Sequence, residues 1–288
     1  MKRSISIVIL FVLVTAVFSI SAQKSSPTHS FVIQAASVAQ ASEIVHDYGG
    51  QVQEELPIIN AVSAAIPANR IAALSADGQV LAVFTDGQVE AAGFAPDMAA
   101  PEVMGVPAVW NAGYEGDGIG VAVVDSGIGR MVWNHGRIVA RYDALDNGPQ
   151  RHDAHGHGTM MASLIANNRM DSNGTIGVAP EVNLIDVRVL DEEGKGTYTD
   201  IIEGLNWILQ NKDAYNIRVV NLSLVGGIDS PYWADPINQS VEALWAAGIV
   251  VVAAAGNDGP GAMSIAVPGN DPFVITVGAY TDNFHATE

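Results

Sequence analysis

Hydrophobic and polar positions along the chain fall into three successive regimes. The first is one apolar run from Ile5 to Ile20, preceded by Lys2-Arg3 and followed by Ser21-Ala22 and polar Gln23-Lys24-Ser25-Ser26. A basic start, an apolar middle and small residues at the end make the pattern of a secretory signal peptide, so residues 1–22 are predicted to be removed on export. The run is short for a membrane span, which places the exported protein off the membrane. The second regime, residues 30–90, consists of short segments bounded by turn residues. Phe31–Ile33 reads as a strand, Ser37–Tyr48 as a helix closed by Gly49-Gly50, and Val52–Leu56 and Asn60–Ile66 as strands. A helix from Ala68 to Ser75 and a strand from Val80 to Phe84 complete a βαββαβ order, the split-βαβ arrangement of a small open sheet with two helices on one side.

From Pro107 onward longer β-branched runs alternate with amphipathic stretches, as in a doubly wound parallel sheet. The predicted strands are Gly120–Val124, Leu184–Val189, Ile217–Leu222, Ile249–Ala254 and Val274–Val277, of the kind buried on both faces. One helix is predicted to start with Asp200 as its cap, with Ile201, Ile202, Leu205, Ile208 and Leu209 on one face. Another runs from Asp235-Pro236 to Gly248, with proline first and glycine last. The predicted fold is therefore α/β, with a small α+β unit (30–90) ahead of a doubly wound unit (107–288). Residues 91–106, rich in Gly, Ala and Pro, form the linker between them.

Charge and composition narrow the partners. The 288 residues carry 13 Lys plus Arg against 31 Asp plus Glu, a formal charge of −18. No basic cluster follows Lys2-Arg3, so nucleic acids and anionic membranes are excluded as partners. The absence of cysteine removes disulfides, a thiol nucleophile and thiolate metal sites.

Candidate chemistry gathers where predicted strands end, which is where doubly wound sheets place their sites. Asp125, followed by Ser126-Gly127, ends Val121–Val124. His155-Gly156-His157-Gly158-Thr159 opens a small-residue helix, and Gly256-Asn257-Asp258-Gly259 follows Val251–Ala255. Each has an ordinary reading: Asp125 and Asn257 suit turns, Ser126 suits a turn or cap, and His152 and His155 suit a solvated loop. A metal reading is also open, because His152, Asp153, His155 and His157 lie close together and short-spaced His/Asp sets bind zinc. Gly116–Gly120 offers nothing for a nucleotide, since these glycines precede a strand and phosphate cradles follow one.

Together the three loops resemble the subtilisin-like serine proteases, the subtilases of peptidase family S8. That family carries a strand ending in Asp-Ser/Thr-Gly, a His-Gly-Thr helix start and an Ala-Ala-Gly-Asn turn. Gly177–Pro180, Gly194–Tyr198 and Asn221–Leu224 match further segments in the same order. The resemblance implies a secreted endopeptidase zymogen acting on polypeptides. Asp125 would hold the imidazole of the general base His157, and Asn257 would donate to the oxyanion. Gly194, Lys195 and Gly196 on one side, and Ser223, Leu224 and Val225 on the other, would pair with an extended peptide. Ala254, Ala255 and Gly256 would line the main side-chain pocket. Residues 30–90 would be an inhibitor-type propeptide, with Gln88–Phe94 lying in the cleft. No cofactor is implied for catalysis, although structural calcium is.

Two departures stand out. The family's nucleophile lies in a Gly-Thr-Ser-Met-Ala segment downstream of the Asn, and that segment does not occur among the 288 residues. The catalytic domain is therefore predicted to be C-terminally incomplete, and a non-catalytic binding protein on the same scaffold is the alternative reading. Val225 stands where a glycine usually follows Ser-Leu, which predicts a narrower cleft.

Overall fold

The computed structural model describes residues 28–91, 101, 104–131, 134–145, 153–171, 174–175, 177–259 and 261–279. Residues 1–22, His152 and most of 91–106 lie outside these, and with them the expectations for the leader and the linker. Among the described residues no helix is long and apolar enough to cross a membrane.

The first unit contains β1 (Thr28–Gln34), α1 (Val38–Asp47), β2 (Gln51–Leu56), β3 (Ala61–Pro67), α2 (Ile71–Ser75) and β4 (Ala82–Thr85). The sheet order is β2-β3-β1-β4, with every neighbour antiparallel. Ser37 starts α1 by accepting the Gln40 N–H at 3.2 Å. Strand alternation divides the apolar residues between two faces. Ile33, Val62, Ala64 and Ile66 meet Ala41, Ile44, Val45 and Leu74 of the unit's own helices. Val32 and Ala61, with Leu56 and Ile59, turn the other way and join the large core of the second unit.

After β5 (Gln88–Ala91), the second unit begins with α3 (Pro107–Asn111), β6 (Gly120–Asp125) and β7 (Ile138–Asp143). It continues through α4 (His157–Ala166), the short strands β8 (Met170–Asp171) and β9 (Gly174–Thr175), β10 (Asn183–Arg188) and β11 (Lys195–Thr197). The remaining elements are α5 (Tyr198–Asn211), β12 (Ile217–Leu222), β13 (Leu224–Gly226), α6 (Pro236–Ala246), β14 (Val250–Ala254) and β15 (Ile275–Val277). Six of these strands form a parallel sheet ordered β15-β14-β12-β6-β10-β7. Val121 and Val123 of β6 pack with Ala162 and Ala166 of α4. Ala122 and Val124 face the core shared with Ile201, Ile202, Leu205 and Ile208 of α5 and Ile237, Val241 and Leu244 of α6. Helices cover both sheet faces, which is the doubly wound arrangement.

Three details correct the sequence reading. Helix α5 is capped by Thr197, not Asp200: the Thr197 hydroxyl accepts the Asp200 N–H while the Asp200 carboxylate accepts the Thr197 N–H at 2.7 Å. Asp200 is thus the third residue of a capping box, the position normally given to Glu or Gln. Strand β7 goes unmarked by the hydrophobic pattern, because its Ile-Val-Ala-Arg-Tyr-Asp sequence mixes charge into the run. It is an edge strand whose Arg141 and Asp143 stand opposite Asp186 and Arg188 of β10 and pair with them. Strand β15 is not buried on both faces, since Ile275 and Val277 are more than half exposed on the other sheet edge.

Candidate active site

The order of the strands reverses at β6: the chain runs to β7 and β10 on one side and to β12, β14 and β15 on the other. A crevice opens at such a point beyond the carboxyl ends of the strands, and Asp125 is the last residue of β6. His157 is the first residue of α4. Their side chains meet with Nδ1 of His157 at 2.8 and 2.9 Å from the two Asp125 oxygens, and both residues are fully buried. An ionised carboxylate only accepts, so Nδ1 donates. That tautomer makes Nε2 the proton-accepting atom of the ring.

A second carboxylate, Asp153, fixes the pair in place. Its Oδ1 accepts from the Ser126 hydroxyl and the Gly156 N–H, each at 2.8 Å. Its Oδ2 accepts from the N–H and hydroxyl of Thr159 at 2.8 and 2.7 Å. The Thr159 hydroxyl accepts the Gly129 N–H at 2.8 Å, and the Ser126 hydroxyl accepts the Gly158 N–H at 3.0 Å. The first-turn amides of α4, which lack partners within the helix, are thereby tied to the loop that follows Asp125. The close approach also explains Gly158: a Cβ there would lie 2.2 Å from the Gly127 carbonyl oxygen. Ser126 is committed to this network, as its reading as a turn residue expects. The sequence offers Asp153 only as a metal ligand, and its spacing to Thr159 is the available signal for the bracing role.

The metal reading finds no support among the described residues, where no group of three or more His, Asp or Glu is gathered to hold an ion. Both oxygens of Asp153 are taken up by four donors. The described residues name no calcium ligands either. His155 is half-buried rather than fully solvated. A Cβ on Gly194 would lie 2.7 Å from His155 Nε2, so this ring covers Gly194, with its centroid 6.1 Å from that of His157.

Beside the pair lies a three-stranded antiparallel sheet ordered β11-β5-β13. Glu90 stands opposite Lys195 on one side and Val225 on the other, Val89 lies between Gly196 and Gly226, and Ala91 is opposite Leu224. The Ala91 N–H donates to the Gly194 carbonyl at 3.0 Å, which carries the ladder up to the His155 ring. The two flanking strands fall one residue later than the segments singled out in the sequence. Ser223 precedes β13, and its hydroxyl accepts from Asn221 Nδ2 at 2.9 Å.

The third loop follows β14. Ala255 donates its N–H to Val277 at 2.8 Å and accepts the Ala266 N–H at 2.9 Å, and Gly226 donates to the Val267 carbonyl at 2.8 Å. These bonds join the Ala254–Gly256 segment to β13. Asn257 is exposed on the turn beyond. Asp258 and Ala266 border a cavity of about 250 Å³ with residues 88–90, Lys195 and residues 225–227.

Electrostatics at Asp186 of β10 and at Asp271 in the loop before β15 reflect burial. Desolvation pushes Asp186 up to about 7 despite the pull of Arg141, and pushes Asp271 up to about 6.

The site is thus a buried carboxylate–imidazole pair at the switch point of a doubly wound α/β sheet, next to an extended segment, β5, held between two strands. Residues 116–288 match the subtilase family, peptidase S8, and the chain belongs to that family. It is 45% identical to the serine protease AprX of Bacillus subtilis over 175 residues, covering 58% of this chain and 39% of AprX. It is 33% identical to subtilisin E of the same organism over 278 residues, 90% of this chain and 68% of that protein. Thermitase of Thermoactinomyces vulgaris is 34% identical over 163 residues, 55% of this chain and 54% of thermitase.

Proposed function

We propose that the chain is an exported zymogen of a subtilisin-like serine endopeptidase, with residues 30–90 acting as its own inhibitor. The observation that carries this reading is β5, an extended segment seated between β11 and β13 beside the Asp125–His157 pair. A polypeptide substrate would add to the same two edges by main-chain hydrogen bonds. In this mechanism Nε2 of His157 takes the proton of a serine hydroxyl as the oxygen attacks the peptide carbonyl, and later gives it to the leaving amine. Asp125 holds the Nδ1–H and stabilises the imidazolium. The Asn257 amide donates to the oxyanion, an uncharged donor aimed where negative charge develops. The family supplies the serine from a Gly-Thr-Ser-Met-Ala segment, which these 288 residues do not contain. The chemistry needs no cofactor, and calcium enters no step. Export follows from the leader pattern at residues 1–22.

The test uses the protein expressed from its complete coding region, assayed on casein and with a serine-directed phosphonate probe. Stoichiometric labelling and hydrolysis, both lost in His157→Ala, are expected. Chelator-abolished hydrolysis without labelling would establish the metal reading instead. Peptide binding with neither labelling nor hydrolysis would establish a non-catalytic binding protein.

A further inference from the structure

We infer that Lys195 makes this cleft selective for an acidic side chain at the position Glu90 occupies, so that preferred polypeptide substrates carry Glu or Asp there. This rests on the reading above, in which β5 occupies the substrate's place. Residues directly opposite in an antiparallel ladder point to the same side. The seat therefore has two rows on opposite faces. In the buried row Val89, only 1% exposed, lies between Gly196 and Gly226. A Cβ on Gly226 would come within 3.2 Å of both Val89 and the Tyr198 ring, so the absence of side chains on that face makes room for an aliphatic one. In the outward row Lys195, Glu90 and Val225 stand side by side.

Lysine in the outward row is unusual for this molecule. The sequence has four lysines, Lys2, Lys24, Lys195 and Lys212, in a chain of charge −18. One of the two beyond the leader and its flanking polar stretch faces the side chain that the seated strand turns outward. Val225, where the family pattern has glycine, supplies apolar surface for the methylenes of a Glu on the other side. Asp258 borders the same cavity, and Asp191 accepts the Lys195 backbone N–H at 2.9 Å, so both are competing anions. An exposed cross-strand charge pair changes an equilibrium by about fivefold or less, which suits a preference among substrates rather than an absolute requirement.

The 288-residue chain itself serves for the test, through amide exchange of β5 read at the Ala91 N–H. With Glu, Asp, Gln and Lys at position 90, exchange at low salt should rise in that order, with Lys about threefold or more faster than Glu. In a Lys195→Gln background the order should flatten. Lys195→Glu combined with Glu90→Lys should restore protection lost in either single variant, and about 0.5 M salt should weaken every difference. Protected β5 amides with rates indifferent to residue 90, or an order unchanged by Lys195→Gln, would overturn the selectivity while leaving β5 in its seat. Unprotected β5 amides in every variant would overturn both this inference and the reading of β5 as a substrate mimic.

Discussion

Replacing Asp153 with alanine tests whether the second carboxylate assembles the site. The change removes the acceptor of four hydrogen bonds of 2.7–2.8 Å, from Ser126 Oγ, Gly156 N, Thr159 N and Thr159 Oγ1. The buried Ser126 hydroxyl can turn to Asp125 Oδ1, already 3.2 Å away, and the half-buried Thr159 hydroxyl to water, so their net loss is small. The Thr159 amide belongs to the first turn of α4, and losing such a cap costs about 1 kcal/mol. The Gly156 amide, left in a half-buried turn, adds about 1–3 kcal/mol if water does not reach it. The sum is about 2–4 kcal/mol. With a urea slope of about 2–3 kcal/mol/M the midpoint should fall by about 1 M, followed by tryptophan fluorescence. Ser126→Ala alone should cost about 1 kcal/mol, and the double variant should cost less than the two singles together, because they share one bond. The proton resonance of His157 Nδ1–H should also broaden in Asp153→Ala as the start of α4 loosens. A midpoint shift below about 0.2 M, or strict additivity with Ser126→Ala, would refute the bracing role.

Asp271 titrates against the fold: burial, with the Glu242 carboxylate beside it, pushes it up to about 6 from an ordinary 3.8. The unfolded chain gives up this proton first, so stability falls as pH rises from about 4 to about 6; Asp271→Asn should flatten urea midpoints across that window, and an unchanged slope would contradict the assignment. In a form of the enzyme that hydrolyses casein, Asp125→Asn should lower kcat by about 10⁴, the value known for the same change in a serine-protease triad. Asn257→Ala should lower kcat by about 10²–10³ with KM little changed, subtilisin itself being the reference case for that magnitude; an unchanged kcat removes Asn257 from the site. Asp86 accepts the Thr199 N–H of α5 at 3.0 Å and the Ser30 hydroxyl at 3.0 Å. Asp86→Ala should speed exchange at Thr199 by about fivefold, a cap worth about 1 kcal/mol, while α1 amides stay protected.

Most of the fold is legible in the pattern because its strands are either strictly alternating or continuously apolar. The βαββαβ order is predicted with element ends within three residues, and five of the six strands of the parallel sheet within one. What escapes the pattern depends on partners remote in the chain. Edge strand β7 carries Arg141 and Asp143 in its run, and these are tolerated only because Asp186 and Arg188 stand opposite them. Strands β5, β11 and β13 are three or four residues long and exist as strands only by pairing with one another. The same distinction holds in the site. Asp125 and His157 are visible in motifs, whereas Asp153 becomes intelligible only once Ser126, Gly156 and Thr159 converge on it from two loops.

The first unit is held to the second by more than the strand in the cleft. Val32, Leu56, Ile59 and Ala61 belong to one continuous core with Val89, Tyr198 and the buried faces of α5 and α6. Polar contacts reinforce it: the Tyr198 N–H donates to Gly87 at 2.9 Å, and Gln34 Nε2 donates to Gln239 Oε1 at 2.8 Å. The inward faces of β1 and β3 are meanwhile spent on the unit's own helices, so both faces of its sheet are covered only while the two units are together. Cutting the chain beyond Ala91 removes the tether and none of these contacts. Such a cut exchanges an effective concentration of about millimolar for the actual concentration of the released unit. If the first unit is the inhibitor proposed above, inhibition should persist after cleavage and end only on dilution or on destruction of that unit. On that proposed reading, release is controlled by the apolar residues on the outward face of its sheet, Val32 and Ala61 with Leu56 and Ile59, as much as by β5.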